Sequence, residues 1–268
     1  MTATDTPTDT SWIEAGRAWD HAATDWAFLF EPYAADAIDT VFARTRVGPD
    51  VDLLDLACGS GYALGKAHRR GARCAGIDAA AGLIDIAGRR TPPADLVWGS
   101  MFDLPWADQR FDVVTSFNGI WGGCQAALDE AARVLRPGGM LGLTFWGPAA
   151  RLDLRDYFVA VGTTGPPSTA EEMVSLANIG APGVAEDMLD RAGIDLVSRT
   201  AAVAVNEWPD ADTAWKALRS PGVVVPSLEQ TGEDAVRELV LEAIAPFGDD
   251  RAGYRLESEL TVVIGQLR

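Results

Sequence analysis

Hydrophobic positions in the first half of the chain fall into short apolar runs separated by segments with helical spacing. Val51–Ala57 (VDLLDLA) is a compact run ending in a glycine-rich turn, which suits a strand buried on both faces of a parallel sheet. Tyr62–Arg70 has helical periodicity and is closed by Gly71. The alternation then repeats. Ala72–Ile77 reads as a strand, Gly82–Arg89 as a helix, and Asp95–Trp98 and Phe111–Phe117 as strands. Gln125–Leu135 reads as a helix stopped by Arg136-Pro137-Gly138-Gly139, where proline lacks the N–H and glycine favours a turn. Met140–Trp146 is a fifth strand. Strands and helices in this order predict an α/β fold, a doubly wound and mostly parallel sheet with helices on both faces.

The flanks are less regular. Residues 1–10 are polar and predict a disordered tail. Ser11 to about Ala43 is helical in pattern, broken by Pro32, and Trp12, Trp19 and Trp26 recur every seven residues along one face. Residues 11–45 are therefore expected to form N-terminal lid helices, and residues 50–146 the ligand-binding core. Beyond Gly147, the pattern predicts helices at Val184–Ala192, Asp212–Leu218 and Glu233–Ala245, with strands at Leu196–Val205 and Tyr254–Leu267. Residues 147–268 would supply the remaining strands and an inserted cap, so the whole of 1–268 is expected to be a single domain.

Composition narrows the partners. The formal net charge is −17, and such a surface repels nucleic acid and anionic membranes. Cys58, Cys74 and Cys124 are odd in number and lack CxxC spacing, which points to free thiols in a reducing compartment. Residues 1–10 lack an apolar signal core, and no apolar run is long enough to cross a bilayer, so a cytoplasmic location is expected. Glu171, Glu172 and Asp187 have no metal-ligand spacing, and no metal is expected.

Chemistry concentrates in Asp55-Leu56-Ala57-Cys58-Gly59-Ser60-Gly61, at a strand end and opening a helix. Glycines there allow a tight turn and close approach of a ligand to free helix N–H groups. Asp78 ends the next strand, where a carboxylate can accept hydrogen bonds from both hydroxyls of a ribose. Together they predict a nucleoside-containing ligand. A dinucleotide site would read GxGxxG, but its third glycine is replaced by Leu64. Asp55 beside the turn would repel a pyrophosphate and attract an ammonium. Both observations favour S-adenosylmethionine over a nicotinamide dinucleotide.

The segment Leu54–Gly61 resembles the first motif of class I S-adenosylmethionine-dependent methyltransferases, and Gly76-Ile77-Asp78 their ribose-binding acidic motif. Gly99–Trp106 is similar to the GDAxxLPF segment of the ubiquinone/menaquinone C-methyltransferase-like group (methyltransferase type 11). Phe111-Asp112-Val113-Val114 and Arg133–Gly139 resemble that group's fourth strand and post-helix turn. The resemblance implies a Rossmann-like fold with an antiparallel terminal strand and helical cap elements. It also implies cofactor binding by Asp55, Ala57, Gly59, Gly61, Asp78, Ala79, Ser100, Met101, Phe102, Phe117 and Asn118. Gly59 and Gly61 would line the methionine portion, Asp78 the ribose, and Ser100 and Met101 the adenine. Phe117 and Asn118 would lie near the transferred methyl. The chain departs from the group at Ser100, where an aspartate is usual. A hydroxyl accepts without charge, so cofactor affinity is lowered unless Asp103 compensates.

Methyl transfer from a sulfonium needs alignment and exclusion of water, and a base only for acceptors that hold their proton. His21, on the N-terminal helix, is the candidate base, against a surface or capping role. His68 reads as solvent-facing. Trp121 and Trp146 follow strand carboxyl ends and could line the substrate pocket, whereas Trp12 and Trp19 read as packing of a lid helix. Cys58 reads as structural. The expected activity is methylation of a small organic molecule at oxygen, nitrogen or carbon. The rival readings are a non-methylating, cofactor-binding descendant of the fold, and a nicotinamide oxidoreductase, disfavoured by Leu64 and Asp55. Oligomeric state is left open: Val223-Val224-Val225 could be an interface or part of the cap.

Overall fold

The computed structural model describes residues 11–169, 174, 177–249 and 251–268. The predicted tail at 1–10, and Glu171 and Glu172, lie outside the described residues.

An eight-stranded sheet organises the chain. Strands β1 (Asp52–Leu56), β2 (Arg73–Asp78), β3 (Asp95–Trp98), β4 (Phe111–Phe117) and β5 (Leu135–Trp146) run parallel in the spatial order β3-β2-β1-β4-β5. The order reverses between β1 and β4, which opens a crevice at the carboxyl ends of those strands. Strands β6 (Ile194–Trp208), β7 (Gly248–Asp249) and β8 (Gly253–Leu267) complete the sheet. The terminal β8 inserts between β5 and β6 and is antiparallel to both, while β7 pairs only with β8.

Side-chain alternation with a period of two sorts the core into two layers. Leu53 faces one layer with Ile38, Val41, Phe42 and Leu64, while Leu54 and Leu56 face the other with Leu128, Ala131 and Val134. Strand β8 alternates in the same way, Val262 and Ile264 toward the first layer and Val263 toward the second. The first layer is covered by helices α2 (Ala35–Arg44), α3 (Tyr62–Arg69), α8 (Ala211–Leu218) and α10 (Glu233–Ile244). The second is covered by α5 (Gln125–Val134) and α7 (Val184–Arg191). Helix α4 (Ala81–Arg90) connects β2 to β3.

Three local features differ from the sequence reading, each for a physical reason. Helix α1 (Ser11–Asp20) is shorter than expected: the first half of the segment ends in a wide π turn at Trp26–Phe30 and a 3-10 turn at Glu31–Ala34, and the expected second half is α2. Pro32, which cannot donate to a helical ladder, stands at the start of that 3-10 turn. Strand β5 starts at Leu135 because Arg136–Gly139 is absorbed as an irregularity between the pairings Phe111↔Leu135 and Val113↔Met140. Helices α6 (Arg155–Thr164) and α9 (Val225–Thr231) were not expected from the pattern; both pack where glycine and proline flank them.

The amino end of the sheet is held by charge. Asp52 is buried at the start of β1 and accepts from Arg73 (2.7 Å) and Arg136 (2.9 Å), with Arg110 3.1 Å away. These guanidinium groups, Arg73 foremost, hold its carboxyl well below the usual carboxylate range. Asp52 thereby ties the starts of β1, β2, β4 and β5 together at the end remote from the crevice. Asp52→Asn should lower the unfolding free energy by about 1.5 kcal/mol, the low end for charge-assisted hydrogen bonds because the arginines are partly hydrated. An unchanged urea midpoint would show that solvent serves these arginines equally well.

Candidate active site

The crevice begins at the turn between β1 and α3. Ala57, Gly59 and Gly61 all take positive φ (52°, 55° and 71°), and Cys58 N–H donates to Ile77 O at 3.0 Å. The two glycines serve different ends. A Cβ on Gly59 would stand 2.6 Å from Glu31 Oε1, and one on Gly61 would stand 2.8 Å from Ala87 Cβ on α4. Gly61 therefore permits close packing of α4 rather than facing a ligand. Asp78, at the end of β2, accepts Gly59 N–H on Oδ2 and Ala80 N–H on Oδ1, both at 2.8 Å. Burial pushes its acid up to about 6 against those donors.

Asp55 is 1% exposed and accepts from Thr115 Oγ1 at 2.7 Å. Burial first, then the neighbouring Glu31 and Asp78 carboxylates, pushes it up to about 8. Asn118 follows β4 with φ 60°; its N–H donates to Thr144 O (3.0 Å) and its Oδ1 accepts from Thr144 Oγ1 (2.9 Å). Its Nδ2 is buried without a partner among the described residues. An orphaned donor of this kind awaits a ligand or water.

Above these strand ends lies a cavity of ≈ 1600 Å³. Pockets for one small ligand run to ~300–1,000 Å³, so this one has room for two. It brings together Ala57, Gly59, Asp78, Ala79, Ser100, Met101, Phe102, Phe117, Asn118, Trp121 and Trp146. Asp55 lies instead on a side cavity of ≈ 50 Å³, and Gly61 lines neither. Ser100 Oγ accepts Phe102 N–H at 3.2 Å, so the hydroxyl that replaces the group's usual aspartate is engaged in its own turn.

Helix α1 ends at Asp20, which leaves His21 exposed in the turn beyond it and, among the described residues, outside the lining of either cavity, a place that suits the surface role weighed for it rather than that of a base. Trp12 and Trp19, read as packing of a lid helix, line the large cavity together with Trp26. Val223 also lines it, and Val224 is buried in the core.

Several residues were missed. Glu31 accepts Ser60 N–H (3.0 Å) and the Ser60 hydroxyl, and pairs with Arg90 at 2.9 Å. Arg90 Nη2 also donates to Ala27 O at 2.6 Å, so this cluster ties the N-terminal segment to the glycine turn. Burial raises the Glu31 acid. Tyr33 is buried and stacks on Trp146, with centroids 5.1 Å apart and planes inclined by 16°. At the far end of the cavity Arg199 pairs with Glu186 (2.8 Å) and donates to Gly180 O (3.0 Å). These partners are separated by 13 to 113 residues, and no local spacing announces them.

Residues 54–143 match the family described as methyltransferase domain. The chain is 30% identical to the malonyl-[acyl-carrier protein] O-methyltransferase of Dechloromonas aromatica over 65% of this chain and 64% of that protein. It is 33% identical to an uncharacterized protein of Mycobacterium tuberculosis over 55% of this chain, and so spans 58% of that relative's length. Among solved structures it resembles the geranyl diphosphate C-methyltransferase of Streptomyces coelicolor A3(2), solved with Mg2+, geranyl diphosphate and S-adenosyl-L-homocysteine. Its TM-score is 0.55 and its identity 16%, covering 98% of this chain and 100% of that one. The [4+2]-cyclase SpnF is similar too, with TM-score 0.54 and 17% identity over 86% of this chain and 79% of that one. At these identities the structural likeness establishes the Rossmann-like fold.

Asp78 and Asp55 ionise at higher pH when folded than in an unfolded chain, where aspartate titrates near ~3.9. Their contribution to stability is complete below that value and is lost as pH rises through about 6 and about 8. The Tm of the ligand-free protein should therefore rise as pH drops from ~8 toward ~5.5, and Asp55→Asn should flatten the upper part of that slope. A slope unaffected by the substitution would mean that Asp55 is already ionised at neutral pH.

Proposed function

We propose that this chain, a member of the methyltransferase domain family through residues 54–143, is an S-adenosylmethionine-dependent methyltransferase acting on a small organic molecule. The observation that carries the reading is the Asp78–Gly59 clasp at the floor of a cavity large enough for cofactor and acceptor together. When bound, S-adenosylmethionine supplies a methyl group on an electron-poor sulfur, ready for displacement by a nucleophile. Asp78 and Ala79 would hold the ribose, Ser100, Met101 and Phe102 the adenine, and Ala57, Gly59 and Asp55 the amino-acid end. Gly61 acts by packing α4 close to the turn. Phe117 and Asn118 also line the cavity, and Asn118 Nδ2 has a donor to offer an acceptor atom.

Beyond them the cavity wall is apolar, built from Trp121, Trp146, Leu152 and Phe158, which suits a small molecule and excludes water from the transfer. Residues 147–268 are read as part of the same domain because β6 and β8 extend the sheet that carries the site. The net charge of −17 argues against nucleic acid. The three thiols are free and buried, and no helix of the described residues is long and apolar enough to cross a membrane; both suit work in the cytoplasm.

A second reading is supported by one observation. The titratable groups lining the large cavity are Tyr33, Asp78, Arg155, Glu186 and Arg199 among the described residues, and Tyr33 is pushed far up by burial. Asp78, raised to about 6, is engaged by the Gly59 and Ala80 N–H groups, and the one other carboxyl among them, Glu186, is lowered rather than raised. A cofactor-binding protein of the same fold that does not transfer methyl would need no base, and the likeness to a [4+2]-cyclase belongs with that reading.

Calorimetric titration with S-adenosylmethionine, S-adenosylhomocysteine and NADH separates the possibilities. Both adenosyl ligands should bind and NADH should not. Asp78→Ala should weaken them by about tenfold or more, the equivalent of a charge-assisted hydrogen bond. Binding of NADH alone would refute the reading. Binding without S-adenosylhomocysteine formation across phenol, amine and carbon acceptors would favour the second one.

A further inference from the structure

Tyr33 stands at the junction of the large cavity and the side cavity and lines both. Its ring is clamped by its neighbours. It stacks on Trp146 and meets the rings of Trp26 and Phe30 edge-on, with centroids 6.4 Å and 5.3 Å away. A ring packed in this way keeps one rotamer, and its hydroxyl keeps one place. The residue is 5% exposed, yet its O–H donates to no acceptor among the described residues. Burial first, then the Glu31 charge, raises the phenol far above its ordinary value. It is a donor and not a base.

Asn118 supplies a second donor at the same corner. The Thr144 hydroxyl donates to its Oδ1 at 2.9 Å, which turns Nδ2 the other way. The amide lies close enough to the phenol to offset part of its rise, but Nδ2 completes no hydrogen bond among the described residues. One O–H from the N-terminal segment and one N–H from the end of β4 thus meet beside an aromatic wall, and both are short of an acceptor.

An oxygen with free lone pairs satisfies such a pair, and an anionic one gains most, because charge-assisted hydrogen bonds are roughly twice as strong as neutral ones. An ammonium has no lone pair and would leave both donors unmet. The titratable groups nearest this corner are Asp78 in the large cavity and Glu31, Asp55, Cys58 and Tyr62 in the side cavity. Burial raises the three acids and the thiol, which weakens their repulsion of an anion. Arg155, Glu186 and Arg199 also line the large cavity.

We propose that Tyr33 and Asn118 form an oxyanion cradle, and that the acceptor is an acidic phenol or enol that enters the cavity ionised. The proposal rests on the cofactor reading above, which puts the methyl beside Phe117 and Asn118, and it deepens that reading by naming the substrate class. The transfer then balances without a base. An electron pair on the acceptor's oxygen, or on its enolate carbon, forms the bond to the methyl carbon. The carbon–sulfur bond breaks and its pair stays on sulfur, so one negative and one positive charge cancel. The acceptor's proton has already gone to solvent, which is why the acceptor must be acidic.

The test uses the chain saturated with sinefungin, which carries an amine where the cofactor carries its methylated sulfur. Two probes are titrated into it: 4-nitrophenol, whose coloured anion forms near neutral pH, and 4-nitrotoluene, which has a methyl in place of the hydroxyl. The wild type should bind the nitrophenolate about tenfold more tightly than 4-nitrotoluene and shift the ionisation of the bound phenol to lower pH. Tyr33→Phe keeps the stacked ring. It should weaken nitrophenolate by about tenfold, reverse most of the ionisation shift, and leave 4-nitrotoluene within about twofold. Asn118→Asp keeps the oxygen that Thr144 reaches and should weaken the anion further, with the same tolerance for 4-nitrotoluene. A loosened fold would weaken both probes by one factor, and that result overturns the proposal. So does unchanged nitrophenolate binding in Tyr33→Phe, a wild type that prefers the neutral phenol, or a sinefungin-loaded wild type that takes neither probe. If neither sinefungin nor S-adenosylhomocysteine binds, it is the cofactor reading that fails, and the cradle with it.

Discussion

The site depends on one half-buried carboxylate. Asp78 takes a backbone N–H from each of two turns, Gly59 after β1 and Ala80 before α4, and so locks the ends of adjacent strands at a fixed spacing. Its burial makes an ionised acid expensive, and the two donors are what make it tolerable. Everything nearer the ligand follows from that spacing. Gly59 can hold its positive φ, Glu31 can close over it, and Ser60 can present both N–H and hydroxyl to the lid.

The two ends of the sheet carry charge in opposite ways. At the amino end Asp52 is surrounded by arginines, and its ionised form is strongly favoured. At the carboxyl end Asp55, Asp78 and Glu31 crowd together, with Arg90 the one guanidinium paired with them among the described residues, and their ionised forms are disfavoured. The first arrangement is complete within the protein. The second is left short of positive charge among the described residues.

Much of the fold was legible because the central parallel strands are buried on both faces and read as continuous apolar runs. Phe111–Phe117 has the bounds that the pattern implies, and so does Asp95–Trp98, although that strand lies exposed at the sheet edge. The residues of the glycine turn and of the β2, β3 and β4 ends could be named for the same reason, since strand ends in this topology converge on one crevice. What was illegible depends on contacts distant in sequence. Glu31 looks like any helical glutamate until Ser60 and Arg90 are brought to it. His21 looked available only on the assumption that α1 continues past Asp20, but Asp20 turns aside to accept the Gly82 N–H at 2.7 Å. The lining role of Trp12 and Trp19 was hidden because a stripe at helical spacing serves a core and a cavity wall equally well.

The position of β8 sets an order on biosynthesis. Strand β6 leaves the ribosome before β8, yet among the described residues β8 is its only neighbour in the sheet. Until β8 slides between β5 and β6, the growing polypeptide holds two unpaired strand edges, and residues such as Val197 and Val203 stay open to solvent even in the finished fold. A nascent chain paused within this interval would offer those edges to its neighbours on a polysome. Chaperone demand should therefore be concentrated in the interval between synthesis of β6 and synthesis of β8, after the five parallel strands have been made.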